Sequence, residues 1–149
     1  MTLKIFLFFA TALLFASCQT YSEQEIEGFD KEIQKYIKKK KLDVDASPSG
    51  LYFKITKEGE GKYIQYTDSV SITYTGKLLN GRIFDYTKTP RKFAVRELLI
   101  GWKEALLSCK KNSEVVMLIP PQLGYGDNKL DDIPENSILY FEMKVYDVK

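Results

Sequence analysis

Histidine is absent from the 149 residues of this chain, and its absence excludes several classes of catalytic site. Without imidazole the protein cannot build a Ser-His-Asp triad or a Cys-His pair, and it cannot ligate zinc or iron through histidine. Cysteine is scarce as well: Cys18 and Cys109 are the only two, which is too few for a cysteine metal cluster. The sequence therefore predicts a protein without a metal centre or a cofactor.

An excess of either charge is also missing. The chain has 22 Lys and Arg against 20 Asp and Glu, a formal net charge of +2, and the two signs are interspersed. Nucleic-acid-binding proteins carry a concentrated basic surface, so this balance predicts no nucleic-acid partner. The length and the hydrophobic content of 44% are ordinary for one soluble globular domain.

No apolar run reaches the roughly 20 residues that a helix needs to cross a bilayer. The longest covers residues 5–16, follows a single lysine and ends at small residues, which is typical of a signal-peptide core. The next residues, Phe15-Ala16-Ser17-Cys18, resemble the bacterial lipobox, with Phe where Leu is usual. We therefore expect residues 1–17 to be a lipoprotein signal peptide and Cys18 to be lipidated.

Lipidation of Cys18 would place the protein in a bacterial cell envelope and make the membrane one of its partners. The polar and acidic residues after Cys18 favour an outer-membrane anchor that faces the periplasm. The alternative is an ordinary cleaved signal peptide, with Cys18 in a disulfide bond to Cys109.

Residues 18–43 are expected to form a tether and an N-terminal helix. Ser22 and Glu25 have the spacing of a capping box, and a lysine run at 38–41 suits the negative end of the helix dipole. Apolar residues recur at helical spacing between them, namely Ile26, Phe29, Ile33, Tyr36 and Ile37. This helix could pack on its own domain or on a second copy, and the sequence leaves both open.

The hydrophobic period changes to two in the remaining segment, for which we predict a domain over residues 44–149. Residues 44–50 are typical of a linker and residues 58–62 of a turn. Asn80-Gly81 is a strong hairpin signal. Alternating apolar residues predict strands at 51–56, 69–75, 114–119 and 139–146, with a further strand after the hairpin.

A single helix, from Glu97 to about Lys110, is expected inside this domain. The predicted fold class is α+β, with four or five antiparallel strands whose one apolar face is covered by this helix. Cys109 would lie on the inner face of the helix as an inert core thiol.

The segment Leu98-Leu99-Ile100-Gly101-Trp102 holds the only tryptophan and organises the domain. Gly101 is interpreted as relief for the backbone at a bend, and Trp102 as the start of a helical pattern. A large ring at this place can form the floor of an apolar cup, although the segment taken alone favours plain core packing, since Trp is mostly buried.

Several motifs in fixed order resemble FKBP-type peptidyl-prolyl cis-trans isomerases, and they extend over residues 51–149. They are Tyr74-Thr75-Gly76, Asn80-Gly81-Arg82-Ile83-Phe84-Asp85, Leu99-Ile100-Gly101-Trp102-Lys103-Glu104-Ala105-Leu106, Ile119-Pro120-Pro121, Tyr125-Gly126, Ile133-Pro134 and Leu139-Tyr140-Phe141-Glu142-Met143. With the lipobox and the helical lead-in, the layout resembles FKBP lipoproteins of Bacteroidota, including the gliding-motility-associated group.

The resemblance implies a twisted antiparallel sheet half-wrapped around one short helix, with a proline pocket between them and an N-terminal helical extension. It also implies the residues of the pocket. Tyr74, Phe84 and Phe141 would form the aromatic walls of the pocket, and Trp102 would form its floor. Leu98 and Leu99 would line the rim, Asp85 would border the pocket, and Tyr125 would offer its hydroxyl. Plain core packing is the alternative for the three wall residues, and turn geometry is the alternative for Asp85.

Two positions depart from the family pattern. Arg91 stands where the family has an aromatic residue, and Ile100 stands where many members have proline. Both changes weaken the expectation of high turnover and of tight binding to macrolide inhibitors.

The function that this resemblance implies is isomerisation of X-Pro bonds in exported proteins, so proline-containing polypeptides are the expected partners. An alternative is a lipid-anchored module or chaperone that binds proline segments or a partner protein with little turnover. A structural lipoprotein with an inactive pocket is the third.

Overall fold

The computed structural model describes residues 21–149, so the predicted signal peptide and Cys18 lie outside the described residues. Residues 21–149 form two α-helices, α1 and α2, and eight strands, β1 to β8. In order they are α1 Glu23–Lys40, β1 Asp45–Ala46, β2 Tyr52–Lys57, β3 Glu60–Tyr63, β4 Ser69–Leu78, β5 Ile83–Ala94, α2 Ile100–Leu107, β6 Lys110–Lys111, β7 Glu114–Ile119 and β8 Leu139–Val148. None of the helices within residues 21–149 has the length and apolar character needed to cross a membrane.

Six strands form one antiparallel sheet in the order β1-β2-β7-β8-β4-β5, and β3 and β6 form a separate two-stranded ladder. The long strands β4 and β5 are joined at the predicted hairpin, where Gly81 has a φ of +91° and Asn80 Oδ1 accepts a hydrogen bond from Arg82 N–H at 2.9 Å. Glycine suits this position because its backbone enters the left-handed region without strain. The hairpin prediction is confirmed.

The helix α2 covers the inner face of the sheet, as predicted, and the main core lies between them. Trp102, Ala105 and Leu106 on α2 pack with sheet residues such as Ile72 and Met117, and all five are buried. The predicted α+β fold class, with a sheet wrapped around a short helix and an N-terminal helical extension, is confirmed.

The predicted span of this helix was too long. A short 3₁₀ turn, Val95–Glu97, comes first, and Leu99 is the N-cap of α2. Gly101 lies within the helix rather than at a bend, and a Cβ there would come within 2.8 Å of the Ile119 side chain. Close packing of α2 on β7, not relief of a bend, therefore explains this glycine.

Cys109 follows the end of α2 and is fully buried. Burial raises the pKa of its thiol to about 12, so the thiol stays protonated near neutral pH, which is typical of a core cysteine.

The prediction that only one face of the sheet is apolar was wrong. Helix α1 packs across the outer face, where buried Ile33 meets Tyr52, Leu118 and Tyr140. A hydrogen bond of 2.7 Å from the Tyr52 hydroxyl to Asp30 ties the helix to β2. The helix therefore packs on its own chain, one of the two arrangements that the sequence left open.

The start of α1 matches the predicted capping box. The Ser22 hydroxyl accepts from Glu25 N–H, and the Glu25 carboxylate accepts from Ser22 N–H at 2.8 Å.

The predictions of a linker at residues 44–50 and of a turn at residues 58–62 were wrong, because β1 lies within the predicted linker and β3 begins within the predicted turn. Both are short strands with exposed residues, so they lack the apolar alternation that marks a strand in a sequence.

Candidate functional site

Five aromatic rings form one contiguous cluster at the end of the domain where α2 begins, and Trp102 is at its centre. The ring centroids of Tyr74 and Phe141 lie 4.8 Å and 5.0 Å from that of Trp102, in edge-to-face geometry. Phe84 joins through Phe141 at 5.5 Å, and Phe93 lies 6.4 Å from Trp102. The structure thus brings together four residues that the sequence predicts for the pocket, and edge-to-face pairs of this kind favour a fixed arrangement.

Strand β4 passes directly behind two of these rings at Gly76. A Cβ at this position would lie 2.6 Å from the side chain of Phe141 and 2.7 Å from that of Phe84. Both distances are too short for a real contact, so only glycine lets the two rings rest against the backbone. This explains the glycine of the Tyr74-Thr75-Gly76 motif.

Asp85 fixes the Tyr74 side chain. The Tyr74 hydroxyl donates to the Asp85 carboxylate at 2.7 Å, across the hydrogen-bonded ladder between β4 and β5. Burial and this carboxylate raise the pKa of Tyr74 to about 12, so its hydroxyl stays protonated and remains a donor at neutral pH. Asp85 therefore has a definite partner beyond the turn geometry that was its alternative explanation.

An open cavity lies beside the cluster. It is lined by Phe84, Asp85 and Tyr125, and by the loop residues Lys129, Leu130, Asp131, Asp132 and Ile133. Phe84 belongs to both the cavity and the aromatic cluster, so the two are continuous. Three of the residues predicted for the pocket line this cavity, and Tyr74, Trp102 and Phe141 lie behind Phe84.

Three hydrogen-bond donors in or near the cluster lack partners among residues 21–149, and one of them is the buried Nε1–H of Trp102. The backbone N–H of Leu99, the N-cap of α2, donates to no carbonyl, and no side chain caps this helix. The Tyr125 hydroxyl is likewise unbonded, and burial together with the Asp85 charge raises its pKa. Both groups can donate to carbonyl oxygens of a bound peptide.

Leu98 and Leu99 pack against the main core as half-buried residues. They flank the entry to α2, but they do not line the cavity beside Phe84. Their predicted role as a rim remains a prediction.

The loop that forms the far wall of the cavity is held at three places. Asn136 N–H donates to Gly126 O at 2.9 Å and closes the base of the loop. The hydroxyl of buried Tyr21, just before α1, donates to the Asn136 side chain at 2.7 Å. The guanidinium of Arg82 in the hairpin pairs with Asp132. Contacts from both the N-terminal segment and the hairpin thus position the cavity wall.

The sequence interpretation assigned no role in the pocket to two residues of this site. Phe93 packs on both Tyr74 and Trp102, and buried Ile133 lines the cavity. A signal for Phe93 existed. It lies two residues beyond Arg91, which stands where the family has an aromatic residue, and residues two apart on a strand share a face. The signal for Ile133 was its place in the Ile133-Pro134 motif, since it lies in an irregular acidic loop where no periodicity indicates burial. Residues 21–149 contain no cluster of three Cys, Asp or Glu side chains arranged to hold a metal ion.

Comparison with known proteins identifies the family. The family model for FKBP-type peptidyl-prolyl cis-trans isomerase matches residues 60–146. A Haemophilus influenzae protein named "Probable FKBP-type peptidyl-prolyl cis-trans isomerase" is 38% identical over 137 residues, which cover 89% of this chain and 56% of that protein. The chain belongs to the FKBP-type peptidyl-prolyl cis-trans isomerase family.

Solved structures agree with this assignment. The crystal structure of FkpA from Escherichia coli superposes with a TM-score of 0.74 at 30% identity, covering 85% of this chain and 62% of that one. A peptidyl-prolyl cis-trans isomerase from Pseudomonas syringae has a TM-score of 0.71 at 25% identity, covering 83% of this chain and 95% of that one. The chain spans about half the length of the curated relatives it matches.

Proposed function

We propose that this protein is a peptidyl-prolyl cis-trans isomerase that acts on X-Pro bonds of exported proteins. One observation carries the proposal: a contiguous aromatic cluster opens through Phe84 onto a cavity, near the Leu99 N–H and the Tyr125 hydroxyl, which have no partner within residues 21–149. Membership of the isomerase family supports the same reaction.

The aromatic cluster suits the physics of this reaction. The barrier to rotation about a peptide bond, ~18–20 kcal/mol, is largely the lost resonance of the C–N bond. As the bond twists, charge leaves the carbonyl oxygen and the nitrogen becomes pyramidal, so the twisted state is less polar than the planar one. A pocket of aromatic rings with little water therefore favours the twisted state and lowers the barrier by differential binding.

The polar groups hold the peptide rather than exchange protons with it. The Leu99 N–H and the Tyr125 hydroxyl would donate to carbonyl oxygens on either side of the proline, and the Tyr74–Asp85 hydrogen bond would keep the pocket wall in place. The reaction needs no acid, base or nucleophile, which agrees with a chain that has no histidine.

Two substitutions test the proposal in a proline-tetrapeptide turnover assay. Phe84→Ala removes the ring shared by the cluster and the cavity, and should lower kcat/KM far more than Tyr125→Phe, which removes one donor. Ile83→Ala and Tyr146→Phe are matched controls, since both side chains are exposed and lie outside the cavity. Equal rates in all four variants would contradict the site.

The same assay separates isomerisation from the alternative of a binding module. Turnover by the unmodified chain supports the enzyme. Peptide binding without turnover would instead support a proline-binding module or chaperone. If the chain neither isomerises nor binds the peptide, the remaining explanation is a structural lipoprotein with an inactive pocket.

We also propose that the protein is anchored in the cell envelope through lipid on Cys18, as in FKBP lipoproteins of Bacteroidota. The apolar segment at 5–16 and the lipobox-like Phe15-Ala16-Ser17-Cys18 support this proposal. Stable anchoring needs more than one acyl chain, which a lipoprotein carries. Mass spectrometry of the native N-terminal peptide tests it: a diacylated Cys18 as the first residue supports the anchor, and an unmodified Cys18 refutes it.

A further inference from the structure

Arg91 lies on the inner face of β5, at the edge of the aromatic cluster. It pairs in the ladder with Ile72, and Phe93 pairs with Val70. Residues directly opposite each other in an antiparallel ladder share a face of the sheet. Because Ile72 and Val70 are core residues, Arg91 and Phe93 project on the side of the core and not away from it.

The guanidinium of Arg91 lies over the ring of Phe93, with its central carbon 5.6 Å from the ring centroid. Phe93 in turn packs on Tyr74 and Trp102. The Arg91 side chain is nevertheless exposed, so the charge lies where the cluster meets solvent. This charge also opposes the rise in the pKa of Tyr74, which places it within electrostatic range of the hydroxyl bound to Asp85.

Arg91 has no carboxylate within ion-pair distance in the part of the chain that the structure describes. The other two arginines of this region do have one, because Arg82 pairs with Asp132 and Arg96 with Glu97. An arginine held over a ring and not engaged by its own protein can bind a carboxylate from outside. Arg is suited to this role, since its planar guanidinium binds carboxylates in a bidentate manner and stacks on aromatic faces.

We infer that Arg91 forms a subsite for an acidic side chain next to the substrate proline, and so directs the enzyme toward acidic proline-containing segments. The inference rests on the proposed isomerase function, because Arg91 lies at the edge of the aromatic cluster that carries that proposal. It identifies a specificity-determining residue: Arg91 selects among X-Pro segments and takes no part in the rotation itself.

A structural role for the same charge has to be separated from this one. Strand β5 is an edge of the sheet, and an inward-pointing charge on an edge strand discourages pairing with another chain. Such a role would affect association of the protein, but it would not depend on the charge of the substrate. The test must therefore compare substrates that differ only in charge.

The substrates are peptides in which Glu or Gln, which have nearly the same shape, directly precedes or directly follows the proline. Isomerisation is measured by exchange NMR, which places no restriction on the neighbouring residues. In the full chain we expect kcat/KM to be about two- to five-fold higher for the Glu peptide at one of the two positions, as for an exposed ion pair. The ratio should fall toward one as the salt concentration is raised.

Three variants complete the test. Arg91→Gln should bring the Glu/Gln ratio to about one, and Arg91→Glu should invert it. Lys92→Gln is the matched control: it removes one positive charge from the neighbouring residue, which pairs with Ser71 on the opposite face, and it should keep the ratio of the parent.

The outcomes separate this inference from the proposed function. No turnover of any peptide by the parent chain would refute the isomerase proposal itself. Turnover with equal rates for Glu and Gln peptides at both positions would refute the acidic subsite and leave the isomerase intact. If the Glu/Gln ratio of kcat/KM falls as much in Lys92→Gln as in Arg91→Gln, the effect is one of general charge, and the role of Arg91 is overturned as well.

Discussion

At the scale of single residues, the pocket depends on the absence of a side chain at Gly76. The rings of Phe84 and Phe141 occupy the space in which a Cβ would lie. Their positions set the width of the aromatic cluster, because Phe141 touches Trp102 and Phe84 faces the cavity. A residue without a functional group thus determines where two functional rings can be.

Gly76→Ala should therefore destabilise the protein and lower turnover together. A methyl group inserted against two packed rings costs about 1–3 kcal/mol and displaces both. Chemical denaturation measures the first effect and the tetrapeptide assay the second. Gly28→Ala is the matched control: Gly28 lies inside α1 with open space around it, so the same substitution should stabilise by about 0.5–1 kcal/mol. Unchanged turnover in Gly76→Ala would contradict the role of the two rings.

The motifs predicted which side chains come together at this site but not the contacts that hold the cavity wall, and the difference has a physical reason. Tyr74, Phe84 and Trp102 lie in motifs whose order and spacing are specific. The loop that buries Ile133 depends on two hydrogen bonds between residues that are separated in sequence, from the Tyr21 hydroxyl to the Asn136 side chain and from the Asn136 N–H to the Gly126 carbonyl. Contacts of this kind leave no periodic pattern to detect.

At the scale of elements, α1 is the part whose position the sequence left open. Its capping box and apolar spacing predicted the helix itself. Its packing site could not be predicted, because Tyr52 and Tyr140 occupy positions that alternate with core residues and are typical of a wet face. Only the folded sheet shows that these residues and Leu118 form one apolar surface beneath Ile33.

Ile33→Ala should show how much α1 contributes to stability. Ile33 is fully buried between the helix and the outer face of the sheet, and truncation of such a residue costs about 2–5 kcal/mol. Denaturant unfolding of the full chain measures the change. Glu32→Ala, one residue earlier and exposed, is the control and should shift stability by less than about 0.5 kcal/mol. A small, equal effect of both substitutions would mean that α1 does not pack on the sheet in solution.

At the scale of the whole molecule, the described residues 21–149 form three layers, with α2 on the inner face of the sheet and α1 on the outer face. The N-terminal segment also reaches the cavity, since Tyr21 holds the base of the loop that forms its wall. Tyr21, three residues after the cysteine that we propose as the lipid anchor, thus contacts one wall of the proposed substrate pocket.

The free energy of unfolding should decrease above neutral pH, because the buried tyrosine hydroxyls and the buried Cys109 thiol titrate there. Burial raises the pKa of Cys109 from 9.0 and that of Tyr74 from 10.0, each to about 12, and it also raises that of Tyr140. Between the ordinary and the raised pKa the unfolded chain releases protons that the folded chain keeps, so deprotonation favours unfolding. The free energy of unfolding should therefore start to fall near pH 9 and continue to fall toward pH 12. Cys109→Ala should delay the start of this decline, and Tyr74→Phe should reduce its slope. Denaturant titrations at successive pH values measure both effects. A constant free energy of unfolding from pH 8 to pH 11 would contradict the burial of these groups.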